Sequence, residues 1–363
     1  MQAHLIALDW GTTSLRAYRL GEHGQVLEQR ALSAGIMQLP DNPRMIAGAL
    51  CSDGFELAFD EACGDWLDAR PDLPVIACGM VGSAQGWREA TYREAPASVD
   101  ELSAALQTAR SVRGVTVHII PGVLQRSTLP NVMRGEETQV LGVLAGLDEQ
   151  SASQPLLIGL PGSHSKWVQV AQDRIVHFDT FMTGEVYAAL CAHTILGRTM
   201  QPSETFDSAA FDRGLANAQS EEGAAGPLST IFSCRTLGLT GQLPASSQPD
   251  YLSGLLIGHE QASLARLQYD AHGHLPAVIL IGSESLCQRY ARGLTVCGFP
   301  RVTVAAQATE RGLWQVAVQA GLVARQSSHY VQEVWHAQAS IEGKRPGRDS
   351  ARPASRRSSG DWR

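Results

Sequence analysis

Lysine is almost absent from this chain of 363 residues: of 29 basic side chains, only Lys166 and Lys344 are lysine. Long apolar runs are missing as well. None reaches the roughly 18 residues needed to span a bilayer, which argues against a membrane partner. The opening MQAHLIALDWG has no basic stretch ahead of an apolar one, so a signal peptide is not expected and the cytoplasm is the expected location. The seven cysteines form no CxxC pair, which predicts reduced thiols rather than a disulfide frame or zinc site. The eleven histidines form no HExxH pair. A basic surplus is lacking too. The formal charge is −7, whereas a general nucleic-acid binder needs a positive face for the phosphates. What the chain has is apolar material, 44% of its residues, enough for one large core or two moderate ones.

It also has an internal repeat. LIALDWGTTSLRAYRL (5–20) aligns without a gap on LLIGLPGSHSKWVQVA (156–171). Gly11 falls on Gly162, Thr12 on Ser163, Thr13 on His164 and Ser14 on Ser165. Each copy reads as strand, glycine-hydroxyl turn, strand, polar turn and a third strand (QVLEQRAL; RIVHFDTF), a three-stranded antiparallel meander. Helical and strand-like runs alternate after each meander. In the first half, ELAFDEACGDWLDAR, VDELSAALQTARS and GEETQVLGVLAGL read as helices, LPVIACGMV and VTVHIIPGV as strands. In the second, EVYAALCAHTIL, YLSGLLIGHEQASLARLQ, SLCQRYARGL and ERGLWQVAVQAGLVARQ read as helices, AVILIGS and RVTVAA as strands. This predicts mixed sheets covered by helices, in two halves that face each other across a cleft. The segment from about Ser340, rich in Arg, Ser, Pro and Gly, reads as a disordered basic tail.

The turns carry the chemistry. A Gly-Thr-Thr-Ser turn presents successive backbone N–H groups with little side-chain bulk, a nest suited to phosphate oxygens. Asp9 stands just before it. A carboxylate beside phosphates requires a divalent cation, and Mg2+ suits a site of few carboxylates plus phosphate oxygens. In the second turn Lys166 offers a compact positive charge for a β- or γ-phosphate. The turn is no P-loop: GLPGSHSK lacks the GxxxxGK[ST] spacing, and Trp167 follows the lysine. A third glycine site, Gly282–Ser283, joins a strand to a helix N-terminus, where an anion is welcome.

Together these features resemble the sugar kinase/Hsp70/actin superfamily. The blocks GMVGSAQGWREA, LPNVMRGEETQVLG, LPGSHSKWV, TFMTGEVYAAL and YLSGLLIGHE, spread along the chain to about residue 325, resemble the 2-dehydro-3-deoxygalactonokinase family. The resemblance implies an α/β fold of two ribonuclease H-like, actin-like ATPase lobes around an interlobe nucleotide cleft. Residues 1–152 would form the N-terminal lobe, 153–339 the C-terminal lobe and 340–363 the basic tail, which the family pattern does not contain. It implies ATP and Mg2+ as cofactors, a small sugar acid as substrate, and phosphorylation of the 6-hydroxyl of 2-dehydro-3-deoxy-D-galactonate. A homodimer is compatible with it. In that resemblance Gly11, Thr12, Thr13 and Ser14 hold one side of the triphosphate. Gly162, Ser163, His164, Ser165 and Lys166 hold the other, Gly282 and Ser283 belong to the adenosine motif, and Asp9 serves the metal. The base that takes the hydroxyl proton is Glu136 or Glu137, with Glu137 slightly preferred. Gly82, Ser83 and Gln85 lie where similar kinases bind substrate hydroxyls. The substrate's carboxylate calls for an arginine, for which Arg16, Arg88 and Arg134 are candidates. Two facing lobes predict hinge closure over the substrates. Alternatives are a kinase for the gluconate epimer, a phosphohydrolase, or a nucleotide-switched actin-like protein.

Overall fold

The repeat seen in the sequence is the plan of the fold. In the computed structural model, which describes residues 2–147 and 156–324, each copy builds the same five-strand core. The first sheet runs β3 (Val26–Leu32), β2 (Leu15–Leu20), β1 (Leu5–Trp10), β6 (Val75–Cys78), β9 (Thr116–Ile119) and an added edge, β8 (Gln107–Arg110). The second runs β14 (Arg174–Phe181), β13 (Ser165–Ala171), β12 (Leu156–Leu160), β15 (Ala277–Leu280) and β16 (Val302–Val304). In both, the hairpin strands pair antiparallel and the strands that follow pair parallel to the first. The hairpins differ in register by one residue: Trp10 faces Leu15, whereas Leu160 faces Lys166. Pro161 stands at the position of Trp10 in the repeat, and without an N–H it cannot continue the ladder.

Strand alternation divides each sheet into an outer and an inner face. Ile6, Leu8 and Trp10 pack outward with Phe59, Ala62 and Trp66 of α1 (Gly54–Ala69). Leu157, Trp167 and Leu280 pack outward with the helices of the second half: α5 (Ser208–Ala218), α8 (Gln248–His272) and α9 (Glu284–Val296). Leu5 and Ala7 of one sheet and Ile158, Val168 and Val170 of the other share one inner core. That layer also holds α3 (Glu136–Leu144) and α10 (Ala308–Gln319). The two helices cross without side chains between them. A Cβ on Gly142 would stand 1.9 Å from the Ala308 carbonyl oxygen, and one on Gly312 would stand 1.8 Å from that of Thr138. Each glycine thus lies over the carbonyl four residues upstream of the other, and only glycine allows so close a crossing. The remaining described elements are peripheral. They are a small sheet of β11 (Asn131–Met133), β10 (Val123–Gln125) and β7 (Arg93–Glu94), the hairpin β4 (Arg44–Ile46) and β5 (Ala49–Cys51), and the short helices α2 (Val99–Ser103), α4 (Thr183–His193), α6 (Pro227–Thr230) and α7 (Ser233–Leu239).

Two sequence expectations give way here. VDELSAALQTARS is helical only over α2, which begins with a Ser98–Glu101 capping box; its second part is the edge strand β8, hairpinned onto β9. VTVHIIPGV is not one strand. Pro121-Gly122 breaks it, and its ends, β9 and β10, join different sheets. The boundary at 152/153 and the tail from 340 lie outside the described residues. Among the described residues the cysteines are free thiols, and no helix is long and apolar enough to cross a membrane.

Candidate active site

Both glycine turns are held by the same device. In the first, the Gly11 N–H donates to Ser14 O (2.9 Å), which closes the turn. The chain then returns after β3, and the N–H groups of Ile36 and Met37 donate to the carbonyls of Gly11 and Thr12 (both 3.1 Å). The Trp10 indole N–H holds the returning segment through Ala34 O at 2.8 Å. With its carbonyls taken from behind, the turn leaves the Thr12 and Thr13 N–H groups without a protein acceptor among the described residues, and both residues are exposed. In the second turn the Gly162 N–H reaches Ser165 Oγ at 3.5 Å, and after β14 the Glu185 N–H donates to Ser163 O at 3.1 Å. The residue just before the first of these donors packs against the turn and has no side chain in either copy. A Cβ on Gly35 would meet Thr13 N at 2.3 Å, and one on Gly184 would meet Gly162 O at 2.4 Å. Each bracing glycine lies three residues past the end of its third strand, so the repeat extends beyond the meander. The second brace stands in the first turn of α4, whose N-cap, Met182, supplies no side-chain bond.

The second turn has a further anchor. Ser165 is fully buried, and its Oγ bonds the Tyr290 hydroxyl (2.9 Å). Tyr290 donates to Glu260 Oε2 (2.8 Å), and Trp167 Nε1 donates to Glu260 Oε1 (2.7 Å). Burial raises the Glu260 carboxyl, and hydrogen bonds from Thr183, Trp167, Tyr290 and Ser165 oppose this. Ser165 therefore belongs to the footing of the turn, while Ser163 and His164 lie on its exposed crest. His164 contacts the Glu185 carboxylate.

Strand parity decides where the charges point. Asp9 shares the inner face of β1 with Leu5 and Ala7, and Lys166 shares that of β13 with Val168. Asp9 is salt-bridged to Arg16, its partner across the hairpin (3.2 Å); burial raises its carboxyl and Arg16 opposes the rise. Lys166 is only 6% exposed, and its Nζ donates to Val132 O (2.9 Å), in the first half, and to Thr180 Oγ1 (2.8 Å). Burial lowers its ammonium and the field of Glu136 raises it. Between these charges α3 begins. Gly135, at φ 106°, turns the chain against Gly79, and Glu136 and Glu137 follow. Burial raises the Glu136 carboxyl, while Lys166 and His164 of the second turn pull it down. Cys78, beside Asp9 in the parallel ladder, is pushed well up by burial and by the charges of Asp9, Glu137 and Glu136. Glu310, in the first turn of α10, is raised by burial and by the nearby Asp9, and it carried no signal in the sequence. Asp9, Glu136, Lys166 and His164 thus share one corner between the sheets.

The two glutamates differ. Glu137 is fully buried, its oxygens occupied by the Gly135 N–H (2.9 and 2.7 Å) and the Thr138 hydroxyl (3.1 Å). Burial, then the neighbouring Glu136 charge, push it up to about 8. Glu136 is half-buried, with one oxygen taking the Arg134 N–H (2.9 Å). Of the two candidate bases, Glu137 is the more enclosed and Glu136 the more open.

The remaining candidates spread around the corner. Gly82 and Ser83 are buried at the end of the turn after β6, while Gln85 and Arg88 are exposed. Arg134 lies under Gly82, with its guanidinium 4.3 Å above the Tyr92 ring and Nη2 donating to Ala90 O (2.9 Å). Trp87 packs with Trp10, Phe55 and Phe59 as core. On the far side of the second turn a cavity of about 330 Å³ opens between helices. Gly162 and Ser163 line one end; Tyr187 of α4, Leu256 and Ile257 of α8, and Leu286, Arg289 and Tyr290 of α9 form the walls. Gly282 lies against Pro161 and Ser283 is the N-cap of α9, so this pair adjoins the cavity and residues two to seven positions past Ser283 line it.

A sequence profile of the family described as 2-keto-3-deoxy-galactonokinase matches residues 9–316. A Rhizobium meliloti (strain 1021) protein named as a 2-dehydro-3-deoxygalactonokinase is 37% identical over 311 residues, covering 85% of this chain and 94% of the relative. The 2-dehydro-3-deoxygalactonokinase of Escherichia coli (strain K12) is 35% identical over 322 residues, covering 87% and 98%. The crystal structure of a Sinorhizobium meliloti protein described as a 2-dehydro-3-deoxygalactonokinase superposes with a TM-score of 0.73 at 34% identity, covering 87% of this chain and 98% of that one.

Proposed function

This chain belongs to the 2-keto-3-deoxy-galactonokinase family, and from that premise we propose that it transfers the γ-phosphoryl group of ATP to the 6-hydroxyl of 2-dehydro-3-deoxy-D-galactonate. One observation carries the reading: the inner faces of two matching sheets bring Asp9 and Lys166 to the helix start that holds Glu136. Within the described residues, the two like sheets support a division into two lobes near residue 152.

The 330 Å³ cavity has the size and the apolar walls for adenosine, with Gly162 and Ser163 at its phosphate end. The triphosphate would run from there to the free N–H groups of Thr12 and Thr13. Asp9 would hold Mg2+. The fit is that of an ion bound by one carboxylate, water and phosphate oxygens, since no group of three or more metal-ligating side chains occurs among the described residues. When bound, the ion neutralises phosphate charge. Arg16 holds the Asp9 carboxylate in place.

Glu136 accepts the proton of the 6-hydroxyl as the O6–P bond forms and the bond from phosphorus to the bridging oxygen of ADP breaks. Burial makes this carboxylate more basic, and the charges of Lys166 and His164 oppose that rise. Lys166 has two of its three donors engaged by protein, so its contribution is its charge, felt by Glu136 and by the incoming phosphates. Glu137 fixes the Gly135 turn from inside.

The test is ADP release by the purified chain with ATP and Mg2+, with and without the sugar acid, and with its gluconate epimer as a second acceptor. Turnover rises steeply with the galactonate form. Glu136→Gln lowers kcat by roughly 10²–10⁴-fold. ATP turnover indifferent to the sugar acid overturns the reading, and a fast Glu136→Gln enzyme removes Glu136 as base.

A further inference from the structure

Arg134, and Ser83 next to the Gly82 that lies against its guanidinium, each keep buried polar atoms that the protein leaves unfilled. The guanidinium is fixed on one face by the Tyr92 ring and on one nitrogen by Ala90 O. Its Nε and Nη1 are out of solvent and have no hydrogen-bond partner. The Ser83 Oγ, on a residue only 7% exposed, also has none. The spot is narrow: a Cβ on Gly82 would stand 3.1 Å from Nη1 and 2.9 Å from the Ile119 side chain, so a larger residue there would crowd the guanidinium. A guanidinium stays charged at any working pH, and buried N–H groups of a cation are costly to leave unmet. The other two arginine candidates show no such vacancy. Arg16 is salt-bridged to Asp9, and Arg88 is exposed.

We infer that Arg134, with Ser83, seats the carboxylate and adjoining C2 oxygen of the substrate. The inference rests on the kinase reading and names the contact that makes the enzyme one for sugar acids. An α-keto acid, or its hemiketal, offers three neighbouring acceptor oxygens, a match for donors that point from different edges of one guanidinium and from a hydroxyl. The placement also fits the acceptor end. The Arg134 N–H donates to Glu136, so one short segment carries both the seat and the base. The ring form of the substrate follows from its chemistry. A six-membered hemiketal consumes O6 in closing on C2, so the site must take the five-membered ring or the open chain, in which O6 is free.

The test compares kcat/KM for the sugar acid and for its neutral primary amide, in the wild type and in Arg134→Gln, Arg134→Lys and Ser83→Ala, with ADP affinity measured in each as a check of folding. The wild type prefers the acid by roughly 10²–10³-fold, as expected for a buried, hydrogen-bonded ion pair. Arg134→Gln loses most of that preference, Arg134→Lys keeps part of it, and Ser83→Ala lowers turnover of acid and amide alike. A wild-type acid-to-amide ratio in an ADP-binding Arg134→Gln protein overturns the seat while leaving the kinase intact. Absence of acid-stimulated turnover in the wild type removes the kinase reading, and the seat with it.

Discussion

Replacing Glu137 by glutamine removes a proton that the fold is built to retain. The carboxyl is fully buried, and burial and Glu136 push it from an ordinary 4.5 up to about 8. The sign follows directly. Below pH 4.5 both folded and unfolded chains carry the proton, and between 4.5 and 8 only the folded chain does. Stability therefore falls as pH rises through this window, by about 1.4 kcal/mol per pH unit. From 4.5 to about 8 the loss amounts to about 5 kcal/mol. Glu137→Gln keeps an oxygen for the Gly135 N–H and has nothing to ionise. Urea unfolding of both proteins from pH 5 to 8.5, followed by the buried Trp10 and Trp167, gives the difference in stability, in which groups that titrate alike cancel. The wild type should lose ground to the variant steadily as pH rises. A difference that stays flat across the window refutes the assignment of a retained proton to Glu137.

The glycines in and behind the turns and the helix crossing give three further tests. Gly35→Ala and Gly184→Ala drive a Cβ into the backbone of the turns, at 2.3 and 2.4 Å, and should lower kcat/KM for ATP by up to roughly 10²-fold. Gly162→Ala meets nothing within 4 Å, so it should leave thermal stability intact while weakening nucleotide binding in calorimetry; unchanged ADP affinity would remove that turn from the phosphate path. Gly142→Ala places a Cβ 1.9 Å from the Ala308 oxygen and should destabilise the fold by about 3 kcal/mol in denaturant titration, and a near-neutral result would mean that α3 and α10 separate easily.

The meanders were legible because strand periodicity and glycine-hydroxyl turns are local signals, and they recur at matching positions. The inward direction of Asp9 and Lys166 is also written in the sequence, since parity along a strand settles which residues share a face. Other features depend on partners distant in the chain. QTAR becomes a strand because β9 offers it a ladder, not because of its composition, which suits the helix expected there. Gly35 and Gly184 look like any loop glycine until the turns they brace lie beside them. Glu136 and Glu137 are adjacent and alike in sequence, and only the Gly135 turn makes one a sealed carboxyl and the other an open one. The relay from Ser165 through Tyr290 to Glu260 joins residues up to 125 positions apart.

The crossing of α3 and α10 ties chemistry to symmetry. Glu136 lies less than two helical turns from Gly142, and Glu310 sits two residues before Gly312. The acid groups of the corner are therefore mounted on this close helix crossing. A rotation of one half against the other about this crossing would carry Glu136 and Glu310 through small arcs while the outlying loops swept large ones. Opening for substrate exchange and alignment for reaction would then be one motion, read at two radii.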